Sequence, residues 1–166
     1  VTELPEEAFK ECANLSAVTL PATLKAIGEA AFYECTSLAA ITIPKSVTSI
    51  GNPAFYSCRS MASITIPSSV QNFGNNVLTG SGIQSVSLPS CVKEIEYGAF
   101  YNCTALKSIT IPSSVKSIDS QAFYNCKALS TVTIPSSVKS IGYQAFYNCT
   151  ALKSVTIPSS VKAIED

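Results

Sequence analysis

The chain has 166 residues, an apolar content of 46%, a charged fraction of 13% and a net charge of zero. This length suits one domain, and the apolar fraction is high enough for a continuous core. Because a neutral chain lacks the basic field that collects phosphates, nucleic acid is excluded as an expected partner.

A unit of about 23 residues is repeated along the chain. A period in this range predicts a solenoid, because one such unit cannot bury its own apolar face and must stack on its neighbours. We expect a single repeat domain over residues 1–166, with about seven repeats and incomplete repeats at both ends, and we interpret the chain as a segment of a longer protein. The first position of the unit falls at Leu15, Leu38, Met61, Ile83, Leu106, Leu129 and Leu152.

Each unit begins with a predicted strand, typified by Ile109-Thr110-Ile111, which alternates and is β-branched. Stacking of equivalent strands would give a parallel sheet with about 4.8 Å between rungs. Leu106, Ile109 and Ile111 are predicted to point inward, and Pro112 is predicted to end the strand because it has no N–H to donate.

The second half of the unit returns to the start of the next strand. Val115 and Ile118 form a second inward pair, and a short extended stretch or a 3₁₀ turn is compatible with their spacing. A helical turn is predicted next, since Ala122 and Cys126 are four residues apart. Phe123 should enter the core there and form an aromatic column with its equivalents.

The unit reads L-x-x-I-x-I-P-x-x-V-x-x-I-G-x-x-A-F-x-x-C, and it resembles the BspA-like class of bacterial leucine-rich repeats. The resemblance implies a strand-rich α/β-type repeat solenoid. In it, a right-handed coil carries a parallel sheet on its concave face and short helical or 3₁₀ turns on the other side. It also implies a secreted or cell-surface location and adhesion to host matrix proteins or to other cells. The chain itself contains no signal peptide and no apolar run that could insert in a membrane.

One unit departs from the pattern between Val70 and Ile83 and is one residue short. Phe73 replaces the usual Ile, Val77-Leu78 replaces Ala-Phe, and Ser81 stands where Cys is expected. The stretch is rich in Asn and Gly, which favours turns. It is interpreted as a degenerate repeat that bends the stack or, alternatively, as a notch on the rim that contacts a ligand.

Six of the seven cysteines occupy one repeat position, and Cys91 lies in a slot where other units have Ser. There is no CxxC pair and no histidine, so neither a zinc site nor any other metal site is predicted. Stacked side chains point in parallel, which suits a disulfide poorly. We therefore interpret the cysteines as a column of buried thiols that pack like small apolar groups.

No catalytic residues and no cofactor site are predicted. Without histidine the usual nucleophile–His–acid arrangements are absent, and no Gly-rich phosphate loop occurs. Ser and Thr are abundant, but an unactivated hydroxyl is a weak nucleophile. We therefore expect a binding protein rather than an enzyme, because a repeat array builds a long surface.

The outward positions of the predicted sheet are the expected ligand-binding face. They are small and hydroxyl-rich, without the aromatic and arginine side chains that dominate strong interfaces. The alternative is that Thr simply suits a solvent-facing strand. The predicted face consists of Thr19, Thr42, Thr65, Ser87, Lys107, Thr110, Thr133, Lys153 and Thr156.

A second stripe follows the core Phe, where five units carry a tyrosine. It could form an adhesive ridge, or it could be the half-buried packing of the turn. The tyrosines are Tyr33, Tyr56, Tyr101, Tyr124 and Tyr147.

The resemblance and the polar face together suggest a non-enzymatic, adhesin-like protein-binding region. Its partners would be host matrix proteins or other cell-surface proteins. A glycan-binding module and a structural stalk that binds nothing are the alternatives.

Overall fold

The structure is a computed structural model that describes residues 1–70 and 72–165. Within these residues it contains twelve short strands and no helix. The strands are β1 (Glu3–Leu4), β2 (Ala26–Ile27), β3 (Ser49–Ile50), β4 (Ser63–Thr65), β5 (Asn72–Phe73), β6 (Ser85–Ser87), β7 (Glu94–Ile95), β8 (Ser108–Thr110), β9 (Ser117–Ile118), β10 (Thr131–Thr133), β11 (Ser140–Ile141) and β12 (Ala163–Ile164).

All strand pairs are parallel, and equivalent residues of successive repeats lie side by side. The front sheet has the order β10-β8-β6-β4, with Thr131 opposite Ser108 and Ser63 opposite Ser85. The return segments form two back sheets, β1-β2-β3-β5 and β12-β11-β9-β7. The return segment is therefore extended, which decides between the two structures that the sequence left open.

The core is a column between the front and back sheets. Ile109 and Ile111 of the front strand are buried, and so are Val115 and Ile118 of the return segment. Phe32 stacks on Phe55 with 5.4 Å between ring centroids and only 2° between ring planes. The same stacking joins Phe9 to Phe32, Phe100 to Phe123 and Phe123 to Phe146. The predicted aromatic column is confirmed on both sides of the degenerate unit.

The predicted helical or 3₁₀ turns are wrong, because backbone amides in this segment alternate between two kinds of acceptor. The amides of Phe123 and Asn125 donate to carbonyls of the next repeat, at 2.8 and 2.7 Å. Those of Tyr124 and Cys126 donate three residues back within their own repeat. Gln121 and Asn125 have φ angles of 56° and 61°, and a left-handed residue every fourth position prevents a right-handed helix.

The turn after most front segments is held by a side-chain hydrogen bond to the preceding repeat, whereas the buried Ser137 hydroxyl has no partner among the described residues. Val115 N–H donates to the carbonyl of Pro112, and the Ser114 hydroxyl donates to the carbonyl of Val92 in the preceding repeat at 2.6 Å. Cys91 occupies the same slot, and its thiol reaches the carbonyl of Val70 at 3.2 Å. Cys91, the cysteine that is out of register, therefore makes the same hydrogen bond to the preceding repeat as the serine in other units.

Candidate binding surfaces

The front sheet presents an outward face of hydroxyl groups. Thr65, Ser87, Thr110 and Thr133 lie at equivalent positions on the four strands and are exposed, because the alternate residues such as Ile109 are buried. A second exposed row runs beside the first. It consists of Ser63, Ser85, Ser108 and Thr131.

The other predicted face residues lie outside the paired strands. Thr19, Thr42 and Thr156 are exposed but belong to no strand. Lys107 and Lys153 are exposed, and Lys107 Nζ donates to Gln84 Oε1 at 3.3 Å. Thus the structure brings four of the nine predicted residues into one row on the sheet.

The front sheet is interrupted between the second and third repeats. In the described part of the chain, β4 pairs with β6 on one side only, and residues 40–43 do not continue the ladder to it. The resulting cleft has a volume of about 540 Å³ and is lined by Thr42, Thr65, Lys45 and the apolar residues Ile41 and Ile64. Nothing in the sequence indicates it, because the strand pattern of these two units is regular.

The tyrosine stripe is a stacked ladder on the turn side of the solenoid. The rings of Tyr33 and Tyr56 are 4.6 Å apart, and those of Tyr101, Tyr124 and Tyr147 follow one another at 4.7 and 4.8 Å. The first four are half-buried and Tyr147 is exposed. Each ring therefore stacks on at least one neighbouring tyrosine.

An asparagine ladder that sequence reasoning missed lies beside the tyrosines. Asn148 Nδ2 donates to Asn125 Oδ1 at 2.7 Å, and Asn125 Nδ2 donates to Asn102 Oδ1 at 2.6 Å. The available signal was the Asn before Cys in three units, since asparagine tolerates the left-handed backbone that this position adopts.

Family comparison agrees with this geometry. The model of the BspA type leucine rich repeat region matches residues 2–90 and 75–166, with six copies. The chain belongs to this family. The shared spacing of the strand, proline and Ala-Phe positions explains why its repeats stack in register.

Solved structures of bacterial leucine-rich repeat proteins share this solenoid. A T. pallidum leucine rich repeat protein is 33% identical with a TM-score of 0.83, over 93% of this chain and 72% of that one. A protein from Eubacterium ventriosum is 31% identical with a TM-score of 0.81, over 89% and 40%. A leucine rich cell surface protein from Faecalibacterium prausnitzii is 27% identical with a TM-score of 0.51, over 99% and 57%. The chain thus spans about half the length of the latter two. No curated protein matches it.

The cysteine position of these BspA-type repeats was predicted to be buried in six units, and it is a column of buried thiols in five of them. Each thiol donates to the carbonyl of the core residue in the preceding unit, as Cys126 does to Phe100 at 3.1 Å. Burial raises the pKa of Cys58 and of Cys103 from 9.0 to about 12, with the neighbouring Cys35 thiol adding to the effect at Cys58. Cys12 is exposed and Cys91 half-buried, and all seven cysteines are free.

The BspA-type array offers neither a metal-binding group nor a membrane-spanning helix in the part that the structure describes. Across residues 1–70 and 72–165, no three His, Cys, Asp or Glu side chains are grouped so that they could hold a metal ion. The same residues contain no helix with the length and hydropathy needed to cross a bilayer.

Proposed function

We propose that this chain is a non-enzymatic, protein-binding repeat region of a bacterial cell-surface or secreted protein, acting as an adhesin. The observation that carries the proposal is the exposed double row of hydroxyls on the front sheet, with Thr110 and Thr133 at its centre. The cell-surface protein of Faecalibacterium prausnitzii, which shares the fold, supports the location.

The chemistry of this face suits a broad polar contact. Hydroxyls both donate and accept, and the methyl groups of threonine add apolar area between them. The cleft beside Thr42 and Thr65 interrupts an otherwise flat surface and offers the depth that a single protruding side chain would need.

The test is a surface-binding assay against purified host matrix proteins, such as collagen and fibronectin. The variant Thr110→Glu/Thr133→Glu places two charges at the centre of the face. It should weaken binding at least tenfold, about 1.4 kcal/mol, because buried unpaired charges are costly.

The matched control is Thr48→Glu/Thr150→Glu, which adds the same charge at exposed positions away from the front sheet. The control should bind like the parent chain. If no matrix protein binds the parent chain, the adhesin proposal is wrong. If both variants lose binding equally, the front sheet is not the contact surface.

A further inference from the structure

The tyrosine ladder has one missing rung, at the degenerate unit. Thr79 occupies the position that carries Tyr56 in the unit before and Tyr101 in the unit after. Two rungs at the strand spacing of about 4.8 Å place those two rings roughly 9–10 Å apart. Tyr56 and Tyr101 line one cleft with a volume of about 370 Å³, together with Asn76 and Tyr97.

The outer faces of both rings are already occupied. Tyr56 stacks on Tyr33, and Tyr101 stacks on Tyr124, with interplanar angles of 3° and 7°. Between the two rings the ladder carries Thr79 in place of a tyrosine, so neither inner face is stacked on another ring of the ladder. The cleft is therefore a slot that one flat ring can enter, with an aromatic face on either side.

The floor of the slot is held in place by hydrogen bonds. Thr79 is 5% exposed, and its hydroxyl donates to the Gly98 carbonyl at 2.7 Å and lies 3.2 Å from Asn76 Oδ1. Gly98 has a φ of 60°, and a Cβ there would collide with the Asn76 side chain. Because Gly98 has no side chain, Asn76 can lie over it and form part of the floor of the slot. The slot is therefore already formed in the absence of a ligand.

A polar notch adjoins the slot and shares Tyr56 and Thr79 with it. It has a volume of about 730 Å³, lies at the unit that is one residue short, and has Gly80 and Gly82 in its lining. Its lining includes Arg59, which is the chain's single arginine. The other polar residues that line it are Ser57, Ser60, Ser81, Gln84, Asn102, Thr104 and Asn125.

The asparagine ladder ends at this notch, and within the part of the chain that the structure describes its last side-chain amide has an unpaired N–H donor. Each amide nitrogen of the ladder donates toward the preceding unit, from Asn148 to Asn125 and from Asn125 to Asn102. The next position in that direction is Gly80, which has no side chain to accept. Among the described residues the Asn102 side-chain nitrogen has no acceptor, and the direction of the ladder places it toward the notch.

We propose that the slot and the notch together bind a pyranose ring of a glycan. A sugar ring has apolar C–H faces that pack on aromatic rings and hydroxyls around its edge that need donors and acceptors. Tyr56 and Tyr101 supply the faces, while the Asn102 amide and Arg59 supply the edge contacts. An aromatic side chain of a protein partner would fill the slot but leave those polar groups unmatched. The site lies apart from the front sheet, so glycan binding here does not depend on protein binding by the front sheet.

The test is saturation-transfer NMR with methyl glycosides of glucose, galactose, mannose and N-acetylglucosamine, and with short oligosaccharides of each. At least one should receive saturation and shift the Asn102 side-chain amide signal. Binding should also change the fluorescence of the protein, which comes from tyrosine because the chain has no Trp.

The decisive variant is Thr79→Tyr, which restores the repeat residue and fills the slot with the protein's own ring. It should abolish binding, whereas Thr79→Ser should retain it. Tyr101→Leu should weaken binding about three- to tenfold, since one stacked ring is lost. Tyr147→Leu, at the far end of the ladder, is the matched control and should bind normally.

Asn102→Gly tests the edge contact, because glycine keeps the left-handed backbone of that residue while removing the amide. This variant should weaken glycoside binding. If Thr79→Tyr fails to fold, Asn102→Gly and Tyr101→Leu together test the proposal. Absence of saturation transfer to every glycoside would overturn the proposal, and so would equal transfer in Thr79→Tyr. Binding of N-acetylphenylalaninamide without any glycoside would show that the slot takes an aromatic peptide group instead.

Discussion

At the scale of single residues, two substitutions in the degenerate unit compensate for each other in volume. Leu78 stands in the aromatic column where other units have Phe, and Phe73 stands on the return side where they have Ile. The Phe73 ring lies 6.3 Å from that of Phe100 and is tilted by 31°. The aromatic group has therefore moved within the same core layer, and Phe73 and Leu78 are both buried.

The buried thiols should make the folded protein less stable at alkaline pH. Burial raises the pKa of Cys103 to about 12, above its ordinary value of 9.0, so the folded protein holds that proton more tightly than the unfolded chain. A group of this kind contributes stability that is fully present below pH 9 and is lost as the pH rises toward 12. The free energy of unfolding measured by urea titration should fall across this range.

Cys103→Ser should reduce that fall, because a serine hydroxyl does not titrate there. Ser81 shows that the column accepts a hydroxyl, since it is buried within 3.5 Å of Cys103 Sγ. Cys12→Ser, at an exposed position, is the control and should leave the pH slope unchanged. Equal slopes in all three proteins would contradict the role assigned to the buried thiol.

At the scale of structural elements, the turn side is built from hydrogen bonds between repeats rather than within them. The amides of Gln121, Phe123 and Asn125 all donate to the following unit. This pattern places left-handed residues at two positions of most units, although Pro53 takes the first position in one unit and only Ser57 is left-handed there. Asparagine fills the second position in three units. The residues of the turn are therefore selected by the backbone conformation they must adopt as well as by core packing.

Asn125→Ala should lower the free energy of unfolding by about 2–3 kcal/mol. Alanine in the left-handed region costs about 1–2 kcal/mol, and two amide hydrogen bonds of the ladder are lost as well. Asn125→Gly should cost less, because it loses the ladder but accommodates the backbone. Urea denaturation measures both, and Lys127→Ala serves as an exposed control. Equal losses for Ala and Gly would show that the backbone conformation contributes nothing.

At the scale of the whole molecule, the unit over residues 61–82 lies at breaks in both the front and the back sheets. In the described residues the front sheet is interrupted before it, between residues 40–43 and β4, and the back sheets are interrupted after it, between β5 and β7. The turn side remains continuous, since Gly80 N–H donates to the Tyr101 carbonyl at 2.7 Å. In a solenoid each repeat is stabilised by its neighbours, so this unit is where local opening should occur.

Hydrogen exchange followed by NMR should show that opening. β4 has no paired strand on the side of residues 40–43, so the Ile64 amide should exchange at least tenfold faster than the Val132 amide of β10, which is paired with β8 in the preceding unit. Both residues are buried and occupy the same repeat position, so the comparison isolates the break in the ladder. Similar protection of the two amides would mean that the sheet is continuous in solution.

The sequence by itself determined which residues of each unit are buried, that equivalent residues stack in a column, and that the chain resembles the BspA-like repeats. These properties follow from a fixed period, because any regular stack places the same position of every unit at the same depth. Only the tertiary structure decided that the turn of Gln121 to Cys126 is not helical. Its backbone amides have possible acceptors both in their own repeat and in the following one, and the sequence does not say which are used. The sequence offered a notch at the degenerate unit only as one alternative. The slot at Thr79 required the structure, because it depends on the stacking of Tyr56 and Tyr101 on their outer neighbours and on a threonine anchored to Gly98.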